Sequence, residues 1–337
     1  MKKFLNTLYI TSEGAWARKD GANIVVQVDG HTKGRVPLHL LSAVVCFGNV
    51  GLSPQLMHAC SEAGISITFL SLYGKFLARV EGPVSGNVLL RRAQHKQSLE
   101  APITVARNIV VAKIANQRSV LRRAIRDYSD ESGQLAAAEA RLTRAAREAD
   151  NIEDLEQLRG LEGEAANAYF SVFKSLIRAP DIAFNGRSRR PPLDEANALL
   201  SFLYVLLAAD CRTALESVGL DPQMGFLHAD RPGRASLALD LMEEFRAPLA
   251  DRVCLSLINR RQISSKDFQR EETGAVLLKE DSRKVVLEAW QERKRTALIH
   301  PFLEEQMALG LFPFMQAQLL ARHLRGDLDG YPSFIWR

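Results

Sequence analysis

The sequence predicts an α+β protein, a small β-rich N-terminal lobe followed by an all-α helical lobe, on three observations. At 337 residues the chain exceeds the length at which a single core keeps growing, so two domains are expected. Up to about residue 88 the apolar residues fall in short β-branched or aromatic runs bounded by turn signals. Beyond that point they recur at spacings of three and four in Ala/Leu/Arg/Glu-rich stretches. The expected domains are therefore 1–88 and 89–337.

In the first lobe LYI, NIVVQV, SAVVCF, ISITFL and KFLARV read as strands, punctuated by Ser12-Glu13-Gly14, Asp29-Gly30, Gly48-Asn49 and Tyr73-Gly74. One helix is expected from Ser53 to about Ala63, opened by Ser53 and Pro54 and closed on Gly64. In the second lobe VARNIVVAKIANQRSVLRRAI, QLAAAEARLTRAAREA, DLEQLRGLEGEAANAYFSVFKSLI and DEANALLSFLYVLLAADCRTALESV read as helices of a bundle. A Pro/Arg-rich loop, AFNGRSRRPPLD, separates the last two.

Composition narrows the function. MKKFLNTLYITSEG breaks into polar residues too early for a signal segment, and nowhere do 18 apolar residues run together, so a cytoplasmic protein with no membrane anchor is expected. Cys46, Cys60, Cys211 and Cys254 are isolated, with no CxxC, and read as reduced core residues. The net charge is +5, but Arg91 to Arg126 holds nine basic residues against the single acid Glu100. That window carries +8 and leaves −3 for the rest, which reads either as a track for a polyanion or as a solvated helix face.

Chemistry concentrates in the helical lobe. On the helix from Leu155 to about Ile177, Glu162 falls within the apolar face formed by Leu158, Leu161, Ala165 and Tyr169, so a cation or an arginine must neutralise it. Gly160 and Gly163 weaken that helix and predict close approach of another segment or a ligand. His228 sits in a turn-rich stretch, and Asp240 and Glu243 follow one turn apart on a helix, with Glu244 beside them. Carboxylates with an imidazole suit a hard divalent ion, and such sites serve phosphate chemistry. His31, His39 and His58 have no acid at ligand spacing and read as structural.

At these residues the chain resembles the CRISPR-associated integrases, the larger of the two universal CRISPR adaptation proteins. The resemblance rests on GLEGEAANAYF, GFLH followed by SLALDLMEEFR and Asp251, RSRRPPLDEANALLSFLY, LLRRAQHK, AKIANQR and QAQLLARHLRGD, and covers nearly the whole chain. It implies Glu162, His228 and Glu243 as ligands of Mg²⁺ or Mn²⁺, and His228 and Asp240 as catalytic residues. Many relatives carry Asp where this chain has Glu243, which moves that carboxylate by one methylene. Asp240 either ligates the ion or orients His228.

The resemblance further implies a metal-dependent DNA endonuclease and integrase, which joins the 3′-hydroxyl of a captured fragment to a phosphodiester at the edge of a CRISPR repeat. A structure-selective nuclease and a non-catalytic DNA-binding scaffold are the alternatives. Arg91, Arg92, Lys113, Arg122, Arg123, Arg187, Arg189 and Arg190 are the expected contacts to double-stranded DNA. The β-rich lobe is expected to form a homodimer, and a small CRISPR adaptation protein is the expected partner in a hetero-oligomer. Asn197 reads as a buried amide joining two helices, and Tyr331, Phe334, Ile335 and Trp336 as a tail packed on its own domain.

Overall fold

The structure is a computed structural model that describes residues 6–72, 74, 76–80, 82, 88–128, 130 and 132–336. Tyr73 of the expected Tyr73-Gly74 turn, Lys75 at the head of KFLARV and residues 83–87, just ahead of the expected boundary, lie outside the described residues. The chain divides into two compact units, Met1–Ser85 and Gly86–Arg337.

The first unit contains β1 (Thr7–Ile10), β2 (Trp16–Asp20), β3 (Asn23–Val28), β4 (His31–Pro37), β5 (Ala43–Phe47), β6 (Gly51–Leu52), α1 (Pro54–Glu62), β7 (Ser66–Leu70) and β8 (Phe76–Val80). They form two four-stranded sheets, ordered β1-β5-β7-β8 and β4-β3-β2-β6. Strand β5 lies between two parallel neighbours and is buried throughout, which is why AVVCF has no polar alternation. The β3–β4 hairpin pairs Val28 with His31 across Asp29 and Gly30, both at positive φ, the geometry that a two-residue loop needs. The Ser53 side chain accepts from the Leu56 amide at the start of α1, as the Ser-Pro signal implies. Ile24, Val44, Cys46, Leu56 and Cys60 close the core between sheet and helix. Burial pushes the Cys46 and Cys60 thiols up to about 12 and about 11, so both behave as small hydrophobes.

The second unit contains α2 (Val88–Glu100), α3 (Pro102–Asp127), α4 (Gln134–Ala149), α5 (Leu155–Ser171), α6 (Glu195–Ser217), α7 (Ser236–Phe245), α8 (Arg252–Asn259), α9 (Glu280–Arg295) and α10 (Phe312–Leu324). Two short hairpins, Phe268–Arg270 with Val276–Leu278 and Ala297–Ile299 with Gln306–Ala308, interrupt the bundle. Helix α5 ends at Ser171, six residues before the expected Ile177, and a 3₁₀ turn over Phe173–Leu176 follows. A π-helical turn over Arg246–Asp251 joins α7 to α8; Pro248 within it has no amide to continue an α-helical ladder. Among the described residues α6 alone is long and apolar enough to cross a membrane, and 56% of its most apolar window is buried inside the unit.

Candidate active site

Helix α7 sets the problem that the site solves. Nine of its ten residues are buried, among them Asp240, Glu243 and Glu244. An unpaired buried carboxylate costs several kcal/mol, so each must be met by its own set of partners. Glu244 points away from the other two, while Asp240 and Glu243, on one face, share His228 and otherwise meet different partners.

Asp240 is met by a loop. Its Oδ2 accepts from the amides of Phe226 and Leu227 at 2.6 and 3.0 Å, and its Oδ1 accepts from the His228 amide at 2.9 Å. The same Oδ1 lies 2.6 Å from His228 Nδ1. With both oxygens so occupied, Asp240 fixes the imidazole with Nδ1 protonated and leaves Nε2 as the free nitrogen. Gly225 makes this possible, because a Cβ there would lie 2.7 Å from Ser236 Cβ and 2.9 Å from Asp240 Oδ2. The glycine carries a steric requirement that the sequence signals only as one letter of GFLH.

Glu243 is met by cations. Arg246 Nη2 lies 3.0 Å from its Oε1, Lys113 Nζ 2.8 Å from its Oε2, and His228 Nε2 3.8 Å from Oε1. Burial alone would raise its pKa, but the Arg246 and Lys113 charges, joined by His228 only when that ring is protonated, hold the carboxyl down to about 2. Its Oε2, although within ion-pair distance of Lys113, accepts no well-aligned hydrogen bond. Arg246 stacks over the Tyr204 ring at 4.8 Å, which fixes the direction of its guanidinium.

Glu162 reaches the same lysine from α5, so Lys113 bridges Glu162 and Glu243. The sequence leaves a cation or an arginine open as the neutralising charge for Glu162; in the structure it is the Lys113 ammonium. Glu162 is 25% exposed and His228 21%, so both open to solvent from the rim of an otherwise buried cluster. Arg159, one turn before Glu162, donates to the Leu227 carbonyl at 2.7 Å and pins α5 to the His228 loop. Of the two expectations for Gly160 and Gly163, another segment or a ligand, no other segment of the described chain approaches: a Cβ at either position would meet no heavy atom within 4 Å.

Glu244 is met by the C-terminal tail. It accepts from Tyr331 Oη at 2.5 Å, from Gln316 Nε2 at 2.9 Å and from the Phe334 amide at 2.6 Å. Burial nonetheless raises its carboxyl to about 7, because all three donors are neutral. Asn116, on α3 one turn beyond Lys113, donates to the carbonyls of Glu244 and Phe334 at 2.7 and 2.9 Å. The tail expected to pack on its own domain does so, by reaching behind the helix that carries Glu243.

The other expected residues scatter. Lys113, expected at a DNA backbone, is buried between two acids of the cluster. Arg187 stacks on Phe170 and Tyr204 at 5.9 and 5.3 Å and donates to Asn197 Oδ1 at 2.7 Å. Asn197 thereby holds the Pro/Arg-rich loop, donating also to the Gly186 carbonyl, instead of joining two helices. Arg91 donates to the Gly219 carbonyl, while Arg92, Arg189 and Arg190 are exposed. Arg122 and Arg123 are exposed and paired with Glu139 and Asp127, acids that the 91–126 window omits.

Next to this cluster Asp251, on the π-helical turn, accepts from the hydroxyls of Tyr169 and Tyr204 at 3.0 and 2.8 Å. Burial raises its carboxyl to about 6 against the opposing tyrosine hydrogen bonds and the Arg246 and Arg187 charges. The folded state therefore holds this proton more tightly than the unfolded chain, and its stabilising contribution is lost as pH rises from about 4 to about 6. Asp251→Asn cannot titrate. In urea unfolding across that interval, the wild type is expected to lose about 3 kcal/mol relative to this variant. A difference that stays flat with pH would sink this account.

Two carboxylates thus converge on one cation beside an imidazole held by a third acid, a grouping of the kind that serves phosphate chemistry, on a helical unit that follows a β-rich one in the chain. Residues 8–292 match the family described as CRISPR associated protein Cas1. The chain is 59% identical over its whole length to CRISPR-associated endonuclease Cas1 2 of Rhodospirillum rubrum, and 51% identical to CRISPR-associated endonuclease Cas1 1 of Chlorobaculum tepidum; each relative is covered completely. A solved CAS1 protein from Thermotoga maritima superposes with a TM-score of 0.81 at 25% identity, over 95% of this chain and 97% of that one. The chain belongs to the Cas1 family of CRISPR-associated endonucleases.

Proposed function

We propose that the helical lobe cuts and joins DNA with a divalent ion held by Glu162, His228 and Glu243, and that its biological reaction is insertion of captured fragments into a CRISPR array. The observation that carries this reading is the convergence of Glu162 and Glu243 on one buried positive charge beside the free Nε2 of His228. Among the described residues no three His, Cys, Asp or Glu side chains are gathered closely enough to hold a metal as they stand. The position between the carboxylates is taken by the Lys113 ammonium. The donor set still fits a hard ion: two carboxylates and one imidazole nitrogen, with the buried Glu243 Oε2 facing the same ammonium that Glu162 faces.

When bound, Mg²⁺ or Mn²⁺ supplies charge stabilisation at a phosphoryl oxygen and at the oxygen that leaves. The protein's part is to hold the donors in the right state. Lys113 and Arg246 keep Glu243 ionised, and Asp240 keeps the His228 lone pair on Nε2, acting through the imidazole as a positioning residue. In strand transfer the 3′-hydroxyl oxygen replaces one ester oxygen at phosphorus, and the proton passes to the oxygen released; in cleavage, water takes the place of the hydroxyl. Lys113 must turn away from at least one acid as the ion enters.

Exposed Arg92, Arg189 and Arg190, with Arg122 and Arg123, are proposed as phosphate contacts that position the duplex without reading sequence. The β-rich lobe is proposed to pair with a second copy through its sheet edges. Edge strand β8 exposes Phe76 and Leu77 by 49% and 55%, and apolar side chains on an unpaired edge favour strand addition. The small adaptation protein is the proposed further partner, on the family resemblance.

The test is cleavage and strand transfer on branched and CRISPR-repeat DNA, with Mg²⁺ or Mn²⁺ and with chelator. Both activities are expected only with the divalent ion, and strand transfer into repeat DNA only when the small partner is added. Cleavage that persists in chelator overturns the metal assignment. Cleavage without partner-dependent transfer limits the chain to a structure-selective nuclease.

A further inference from the structure

The C-terminal end of α3 and the length of α8 line a partly open recess of about 260 Å³, none of whose lining residues belongs to the acid cluster, and its walls are unusually cationic. Arg123, from α3, and Arg252 and Arg260, spaced eight apart along α8 and its cap, line it with Ser256 between them. Two further arginines stand against its aromatic neighbours. Arg178 lies over the Tyr128 ring at 4.5 Å, and Arg252 and Arg293 each lie 5.8 Å from the Trp336 ring.

Within the lining the only carboxylate is Asp127, and Arg123 already takes it at 3.2 Å. Among the described residues neither Arg252 nor Arg260 is paired with an acid. Arg293 donates to the Pro248 carbonyl at 2.9 Å, while its Nε is buried with no hydrogen-bond partner. Burial, then Arg252 and Arg123, lower the Arg293 guanidinium to about 10, so these three cations oppose one another. A fold gains nothing from gathering like charges in a partly buried recess unless something negative joins them.

We propose that this recess binds a phosphate group borne by a nucleotide, with Arg123, Arg252 and Arg260 as its ligands and Tyr128, 40% exposed with Arg178 over its ring, as the aromatic side of the recess. Guanidinium forks match phosphate oxygens in pairs, which a lysine track would not, and an aromatic wall suits the attached base or sugar. The phosphate belongs either to a nucleic-acid strand or to a free nucleotide. The strand case rests on the proposed action on DNA.

Binding of a fluorescent 5′-phosphorylated single strand, and quenching of tryptophan fluorescence by a mononucleotide, are measured in chelator, so failure of the metal site does not affect either. Arg260→Gln and Arg252→Lys are compared with Arg144→Gln, an exposed arginine on α4. Arg260→Gln is expected to weaken the strand about tenfold and to lower the slope of log affinity against log salt by about one, with Arg252→Lys intermediate. Mononucleotide quenching that Arg260→Gln abolishes assigns the site to a free nucleotide; strand loss without quenching assigns it to a strand. Arg260→Gln indistinguishable from Arg144→Gln in both measurements overturns the proposal.

Discussion

Glu162→Ala is expected to lower divalent-dependent cleavage and strand transfer by at least about a hundredfold, while duplex binding in chelator stays within about twofold of wild type. Glu162 is the acid of the cluster most accessible to solvent, at 25% exposure, so the fold loses little when it is shortened. Lys113 remains paired with Glu243 in the variant, which leaves no buried charge uncompensated. What disappears is one of two oxygen donors that converge on a single position. A conservative Glu162→Asp keeps the charge and should recover part of the rate, as a ligand would and a mere spacer would not. Activity at the wild-type level in Glu162→Ala would remove this carboxylate from the chemistry altogether.

The second large effect is expected at Asp240. Truncation to alanine leaves three backbone amides and the Nδ1–H of His228 without their acceptor, two of those amides in a fully buried setting. The cost of leaving such donors unmet is about 3–5 kcal/mol. Chemical denaturation reads that loss directly. The isosteric Asp240→Asn separates structure from chemistry: it refills the space but presents an amide to a ring of donors, so a smaller loss of stability is expected together with a drop in cleavage of about 10- to 100-fold. If Asp240→Asn unfolds at the wild-type midpoint and cuts at the wild-type rate, Asp240 neither fixes the loop nor orients the imidazole.

Much of this site is written in local sequence. The i, i+3 spacing of Asp240 and Glu243 puts both on one face of a helix wherever that helix packs, and Glu162 interrupts an apolar stripe that periodicity alone exposes. The partners are not local. Lys113 is 49 positions from Glu162, Asn116 is 128 from Glu244, and Tyr331 is 87 from Glu244. In the sequence Lys113 is one of nine basic residues in a charged window, with nothing to mark it as the one that turns inward. The Gly160 and Gly163 pair is ambiguous for the same reason, because the letters alone do not say that no other protein segment packs on them, which only the tertiary structure decides.

By itself the sequence determined the change from β-rich to helical structure, the capped helix after Ser53, the Asp29-Gly30 hairpin, and the acids and histidine available for chemistry. These depend on backbone preference and on periods of two and 3.6, which are properties of neighbouring residues. Tertiary structure alone decided what each buried acid of α7 faces: a loop of amides for Asp240, two cations and an imidazole for Glu243, and the C-terminal tail for Glu244. The reason is physical. Adjacent residues on a helix point about 100° apart, so Glu244 turns away from Glu243, whereas Asp240 and Glu243 share a face and take opposite nitrogens of His228; only the packing of α3, α6, α10 and the tail around α7 gives each acid its environment.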